Sequence, residues 1–158
     1  MPRTDDFLKI ASDFNIAISS SGNDRVSGSD QADIVYSGDG DDRVKGGKGD
    51  DRLYGGEGGD YLEAGDGRDV LSGGGGNDLL YGQDGADVYL YGRGYGDDVV
   101  VDHSEDGWRQ DSIRLLGLNY EDVLISVDPL ENITITIRDT GETLYIPRFG
   151  DTWGENGA

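Results

Sequence analysis

Large apolar side chains recur once every nine residues through the middle of the chain, at Val26, Val35, Val44, Leu53, Leu62, Leu71, Leu80 and Tyr89. Between them lie glycine, aspartate and other small or polar residues, as in Gly46-Gly47-Lys48-Gly49-Asp50-Asp51-Arg52-Leu53-Tyr54. A Gly/Asp-rich disordered linker has composition but no fixed phase, whereas this spacing holds phase through eight units. The last three residues of each unit are long enough for a minimal strand with one side chain facing inward. The first six supply a glycine-rich turn, because glycine permits left-handed and crowded backbone. One inward side chain per unit makes no core alone. Two units per coil, with strands on opposite faces, let the apolar residues meet in between. Stacked coils then extend two parallel sheets at about 4.8 Å spacing. The pattern predicts an all-β fold: a parallel β-roll, or two-sheet solenoid, of about eight nonapeptide repeats over residues 19–90.

Other patterns flank the array. Thr4 reads as a helix N-cap, with Asp5 and Asp6 in the first turn and Phe7, Leu8, Ala11 and Phe14 as an apolar stripe. Asn15–Ile18 reads as a first strand, so residues 1–18 are expected to form an N-terminal cap of short helix plus strand. After Leu90 the register slips, and Asp98 stands eleven residues after Asp87. Strand-like segments follow at Val99–Val101, Ile113–Leu116, "DVLISVD", Ile133–Ile137 and Leu144–Ile146, with turn chemistry at Asp139-Thr140-Gly141-Glu142. The expected organisation is thus a cap at 1–18, a roll at 19–98, and a C-terminal antiparallel β cap with a secretion-signal region at 99–158. The cap makes physical sense, since an open sheet end invites edge-to-edge pairing.

The polar positions carry the chemistry. Asp24, Asp33, Asp42, Asp51, Asp60, Asp69, Asp78 and Asp87 also lie nine residues apart. In a two-unit coil they stack as two columns, 24-42-60-78 and 33-51-69-87. Carboxylates about 5 Å apart repel by roughly 1 to 3 kcal/mol per pair, depending on local screening. A hard divalent cation removes that repulsion. Calcium takes six to eight oxygens in flexible geometry, whereas magnesium demands a tight octahedron. With one histidine and no cysteine, the chain has little to offer transition metals. Net charge is -20, from 33 acidic and 13 basic residues, which argues against nucleic acid as a partner and for cations. No apolar run approaches a membrane span, and Lys9 and Asp13 interrupt the segment that an N-terminal signal peptide would use.

The units "GGKGDDRLY", "GGEGGDYLE" and "GGGGNDLLY" match in full, and the others in part, the pattern G-G-x-G-x-D-x-U-x. The chain therefore resembles the RTX, or haemolysin-type calcium-binding, family. Its C-terminal region resembles the one that follows RTX repeats in several secreted proteins, including the last repeat block of adenylate cyclase toxin. The resemblance implies about six to eight calcium ions, each bridging a turn and the turn eighteen residues later through carbonyls and aspartates. Carried onto this chain, one site joins Gly47, Gly49 and Asp51 to Ala64, Asp66 and Asp69. Another joins Gly38, Gly40 and Asp42 to Gly55, Glu57 and Asp60. The implied metal residues further include Asp24, Asp33, Gly56, Gly58, Gly65, Gly67, Gly73, Gly74, Gly76, Asp78, Gly82, Asp84, Gly85, Asp87 and Asp98. Asp111 reads as a similar closing aspartate, and the turn at Gln31, which lacks the usual glycine, as the weakest.

The same resemblance implies a calcium-triggered folding and stabilising module of a type I secreted bacterial protein. Such a module is secreted to the extracellular medium, is monomeric, and has calcium and the type I secretion machinery as partners. "RFGDTWGENGA" reads as part of an uncleaved secretion signal. No HExxH and no G-x-S-x-G occurs, so no enzyme is expected. His103 reads as a surface residue and Asp128-Pro129 as a β-turn. The alternative reading is an adhesive or polysaccharide-binding module, with Tyr36 and Tyr54 stacked on an outer face.

Overall fold

A computed structural model of the chain describes residues 7–9, 15–19, 21–102 and 111–148. Two sheets face each other across one core. The first contains β1 (Phe7–Lys9), β3 (Arg25–Ser27), β5 (Arg43–Lys48), β7 (Tyr61–Gly67), β9 (Leu79–Gly85) and β11 (Asp98–Val101), in that order. The second contains β2 (Ile16–Ile18), β4 (Ile34–Asp39), β6 (Arg52–Glu57), β8 (Val70–Gly75), β10 (Val88–Gly92) and β12 (Ser112–Leu116). Strands alternate between sheets, so each coil spends one strand in each. Pairing is parallel with a register of eighteen residues, as in Val26↔Val44, Val44↔Leu62 and Val35↔Leu53. The inward side chains Val26, Val35, Val44, Leu53, Leu62, Leu71, Leu80 and Tyr89 are all fully buried and form the core.

The first sheet continues into a cap. β15 (Thr143–Ile146) pairs in parallel with β11, then antiparallel with β14 (Ile133–Ile137), which pairs antiparallel with β13 (Val123–Val127). Val123, Ile135, Ile137, Leu144 and Ile146 join the core from this meander. Arg93 fastens it to the last turns of the roll. Its guanidinium contacts Asp139 at 2.9 Å and Asp122 at 3.1 Å, and donates to the Gly117 carbonyl at 3.1 Å. Asp128 accepts from the Leu130 and Asn132 backbone N–H groups at 2.8 and 3.0 Å, so Asp128-Pro129 opens a turn.

Three expectations are corrected. Phe7–Lys9 is a strand, not part of a helix; it pairs in parallel with β3, placing Leu8 opposite Val26. Leu8 and Ala17 continue the nine-residue phase of Val26 backward, and pairing with the next coil outweighs a helical stripe of four residues. Thr4, Ala11 and Phe14 lie outside the described residues. Strands β4 to β9 run six or seven residues rather than three, because backbone pairing continues into the turn, as in Gly38↔Gly56 and Asp39↔Glu57. The register slip after Leu90 does not end the roll. Val100 still pairs with Leu80 and Ile113 with Tyr89, the extra residues being absorbed between strands, so parallel coiling runs from Phe7 to Leu116, past 19 and past 98.

Candidate metal centre

Each repeat aspartate closes a turn and opens the next strand, which turns its carboxylate into the space between coils. From Asp42 onward, one carboxylate oxygen takes a backbone hydrogen bond from the aspartate one coil earlier, whereas Asp24 and Asp33 accept from Ser19 and Ser29. Asp24 N–H donates to Asp42, Asp42 to Asp60 and Asp60 to Asp78, each at 2.8 Å. Asp78 N–H donates to Asp98 at 3.0 Å. In the other column Asp33 N–H donates to Asp51 and Asp51 to Asp69 at 2.7 Å, Asp69 to Asp87 at 2.9 Å and Asp87 to Asp111 at 3.0 Å. The columns inferred from spacing are therefore continuous, and Asp98 and Asp111 close them.

The second oxygen decides the chemistry. Asp33 Oδ1 and the Oδ2 atoms of Asp42, Asp51, Asp60, Asp69, Asp78, Asp87, Asp98 and Asp111 are buried with no hydrogen-bond partner among the described residues. A buried polar atom left this way costs about 1 to 3 kcal/mol, and more when charged. Burial pushes six of these carboxyls up against the lowering effect of the backbone hydrogen bond: Asp78 to about 6, Asp51, Asp60 and Asp87 to about 7, and Asp69 and Asp98 to about 8. Like charges in the same column add to the rise at Asp51, Asp60, Asp69 and Asp98. Nine oxygens that find no donor, repeated at coil spacing, fit a row of cations. The donors are all oxygen, which suits calcium.

The turn backbone has the shape such sites need. Gly38, Gly47, Gly56, Gly65 and Gly74 have φ between 106 and 129°, and Gly40, Gly49, Gly58, Gly67, Gly76 and Gly85 between 105 and 153°. A Cβ on Gly56 would fall onto the Gly38 carbonyl oxygen of the coil below, so adjacent turns stack backbone on backbone. Asp66 and Asp84 turn their side chains to solvent, and Asp66 meets Lys48 at 3.4 Å. Their carbonyls, not their carboxylates, belong to the turn. The Asp66 and Glu57 carbonyls each accept a hydrogen bond, from Gly49 and Gly40 N–H at 2.7 and 2.6 Å, which leaves each a second lone pair. Ala64, Gly73 and Gly82 lead into these turns, and a Cβ on Gly73 or Gly82 would touch the unpartnered Oδ2 of Asp78 or Asp87. At Gln31 φ is not positive, and its N–H turns to Ser29 Oγ at 3.2 Å instead of crossing to the next coil. Gln83 does adopt positive φ, 72°, at the turn position held by Gly38, Gly47, Gly56, Gly65 and Gly74 in the preceding units.

Spacing did not reveal every contributor. Asn23, Asp41 and Asn77 accept the backbone N–H of Asp41, Gly59 and Asp97 one coil on, at 3.0 to 3.1 Å, and so tie the turns together outside the columns. Their signal was a polar side chain immediately before the repeat aspartate. Asp102, 2% exposed, accepts from the Tyr89 hydroxyl at 2.9 Å. Tyr36 and Tyr54 stack with centroids 4.8 Å apart. His103 and residues 149–158, including most of the suggested secretion signal, lie outside the described residues.

Four overlapping matches to the RTX calcium-binding nonapeptide repeat cover residues 12–44, 36–71, 54–89 and 63–97. No curated protein matches the chain. Among solved structures it is similar to the extracellular lipase LipA from Serratia marcescens, with 14% identity, 80% of this chain and 38% of the lipase covered, and a TM-score of 0.39. The chain thus spans well under half of that protein's length. It is also similar to the AlgE6R3 subunit of the Azotobacter vinelandii mannuronan C5-epimerase, with 27% identity, 76% of this chain and 72% of that one covered, and a TM-score of 0.33. The nonapeptide-repeat match reaches the repeat family and not the finer likeness to adenylate cyclase toxin.

Proposed function

The chain belongs to the RTX calcium-binding nonapeptide-repeat family, and on that premise we propose that it is a calcium-triggered folding and stabilising module of a type I secreted bacterial protein. The observation that carries this reading is the pair of aspartate columns, every member but Asp111 buried and most with one unpartnered oxygen. A fold that buries so many carboxylates is penalised without a cation and favoured with one. The rest of the chain supplies little to offset the penalty, since only 34% is hydrophobic and the net charge is -20. At low intracellular calcium the chain stays unfolded and threadable. Outside, millimolar calcium matches the ~10⁻⁴ to 10⁻³ M affinity of extracellular modules. Six ions bring the net charge to about -8. Folding at the exit opposes back-sliding through the secretion machinery. In this role the module is a monomer and performs no catalysis itself.

Small-angle scattering tests the trigger. In chelator the radius of gyration should be near the ~42 Å of an unfolded chain of this length, and in millimolar calcium close to the ~15 Å of a compact one. A compact particle in chelator, or an expanded one in calcium, is incompatible with the proposal.

A further inference from the structure

We infer that one aspartate column ends in a different kind of cation centre, in which Asp87, Asp102 and Asp111 together hold one calcium ion more tightly than the repeat sites do. The inference rests on the calcium reading above and adds a residue that the repeat pattern does not contain. One carboxylate oxygen from each of the three lies within 4.8 Å of the others, and among the described residues no other such group converges. Calcium binds oxygen at 2.3 to 2.6 Å, so donors up to about 5 Å apart reach one ion. Asp87 is 0% exposed, and its Oδ2 and that of Asp111 are buried without a hydrogen-bond partner among the described residues.

The geometry at Gly82 shows what Asp102 replaces. In the regular coils the glycine that leads into a turn is roofed by the carbonyl of the coil above: Ala64 O lies 2.6 Å from a Cβ built on Gly46, and Gly73 O roofs Gly55. Over Gly82 the roof is Asp102 Oδ2, 3.1 Å from such a Cβ, together with Asp87 Oδ2 and the Tyr89 hydroxyl. A carboxylate thus stands where the repeats present a neutral carbonyl. Tyr89 holds it there by donating to Asp102 at 2.9 Å, whereas the matching core positions of the earlier repeats are valine or leucine and bring no hydroxyl. Calcium affinity rises with ligand charge, and three carboxylates exceed the two of a repeat site.

Competition of the full chain with a chromophoric chelator, paired with native mass spectrometry to count ions, tests the assignment. The unaltered chain should bind one ion about tenfold more tightly than the rest. Asp102→Asn, which keeps an acceptor for Tyr89, should lose that tight ion and keep the weaker class. Asp51→Asn should retain it. If Asp102→Asn does not fold in calcium, Gly82→Ala replaces it, because its methyl fills the space between Asp87 and Asp102 and removes no carboxylate. A tight ion that survives in Asp102→Asn or in Gly82→Ala overturns the assignment. So does an unaltered chain with a single affinity class, and that titration decides alone if neither variant folds. A chain that binds no calcium at all overturns the calcium reading itself.

Discussion

Replacing Asp60 by asparagine separates the two opposing effects of a column carboxylate. Asp60 is 2% exposed. It accepts the Asp42 N–H at 2.8 Å, its own N–H donates to Asp78 at 2.8 Å, and its Oδ2 has no partner among the described residues. An amide oxygen can keep the first bond while the charge is lost. Without an ion, burial first, then the carboxylates of Asp78 and Asp42, push the Asp60 pKa from 3.8 to about 7. That is about 4 kcal/mol against the charged form above that pH. The new amide donor finds no partner where Oδ2 had none, which costs about 1 to 3 kcal/mol. The ion-free fold should therefore gain about 1 to 3 kcal/mol. With calcium the sign reverses, because Asp60 stands between the ion below and the ion above. At a hundred times Kd each ion contributes about 2.7 kcal/mol, and weakening both about a hundredfold removes about 5 kcal/mol, which outweighs the ion-free gain by about 2 to 4 kcal/mol. Far-UV circular dichroism at about pH 8 reads both arms, above the raised pKa. Folding driven by trimethylamine N-oxide in chelator should have a lower midpoint in the variant. Urea unfolding in ~10 mM calcium should also have a lower midpoint. Stabilisation in both conditions, or destabilisation in both, would refute the reasoning.

Acid should partly substitute for calcium. The carboxyls of Asp51, Asp60, Asp69, Asp78, Asp87 and Asp98 are raised above 3.8 in the ion-free fold, so the fold holds protons that the unfolded chain has released, and its stability rises as pH falls from about 8 to about 4; circular dichroism in chelator across that range checks the sign, and the calcium midpoint should rise over the same range because protons compete. Gly56→Ala should cost about 2 to 5 kcal/mol of calcium-bound stability in urea titrations, since φ is 129° there and the methyl meets the Gly38 carbonyl. Gly94→Ala, at φ 82° with nothing within 4 Å, should cost only about 1 to 2 kcal/mol.

The roll was legible because two signals shared one phase. A large apolar residue two positions after each repeat aspartate set the inward face, and the eighteen-residue coil then determined which aspartates stack. The alternating segments of the cap were legible for the same reason, Ile133–Ile137 to the residue. Phe7–Lys9 was hidden because its unit lacks the turn glycines and its apolar residues also satisfy a helical spacing. Asp102 was hidden because turns of irregular length put it twenty residues after Gly82, out of phase with every repeat. Strand length was underestimated because glycine marks permissive backbone and does not say whether that backbone pairs across coils. The left-handed Gln83 carries no local mark, since glutamine gives no hint of positive φ.

Amide hydrogen exchange at the column aspartates tests the central claim most directly, because it reads the contacts that calcium is held to stabilise. The N–H groups of Asp33, Asp42, Asp51, Asp60 and Asp69 each donate to the carboxylate one coil on. Followed by NMR, these five amides should be strongly protected in millimolar calcium and should exchange at unfolded-chain rates in chelator. Equal protection in chelator, or no protection in calcium, would contradict the account.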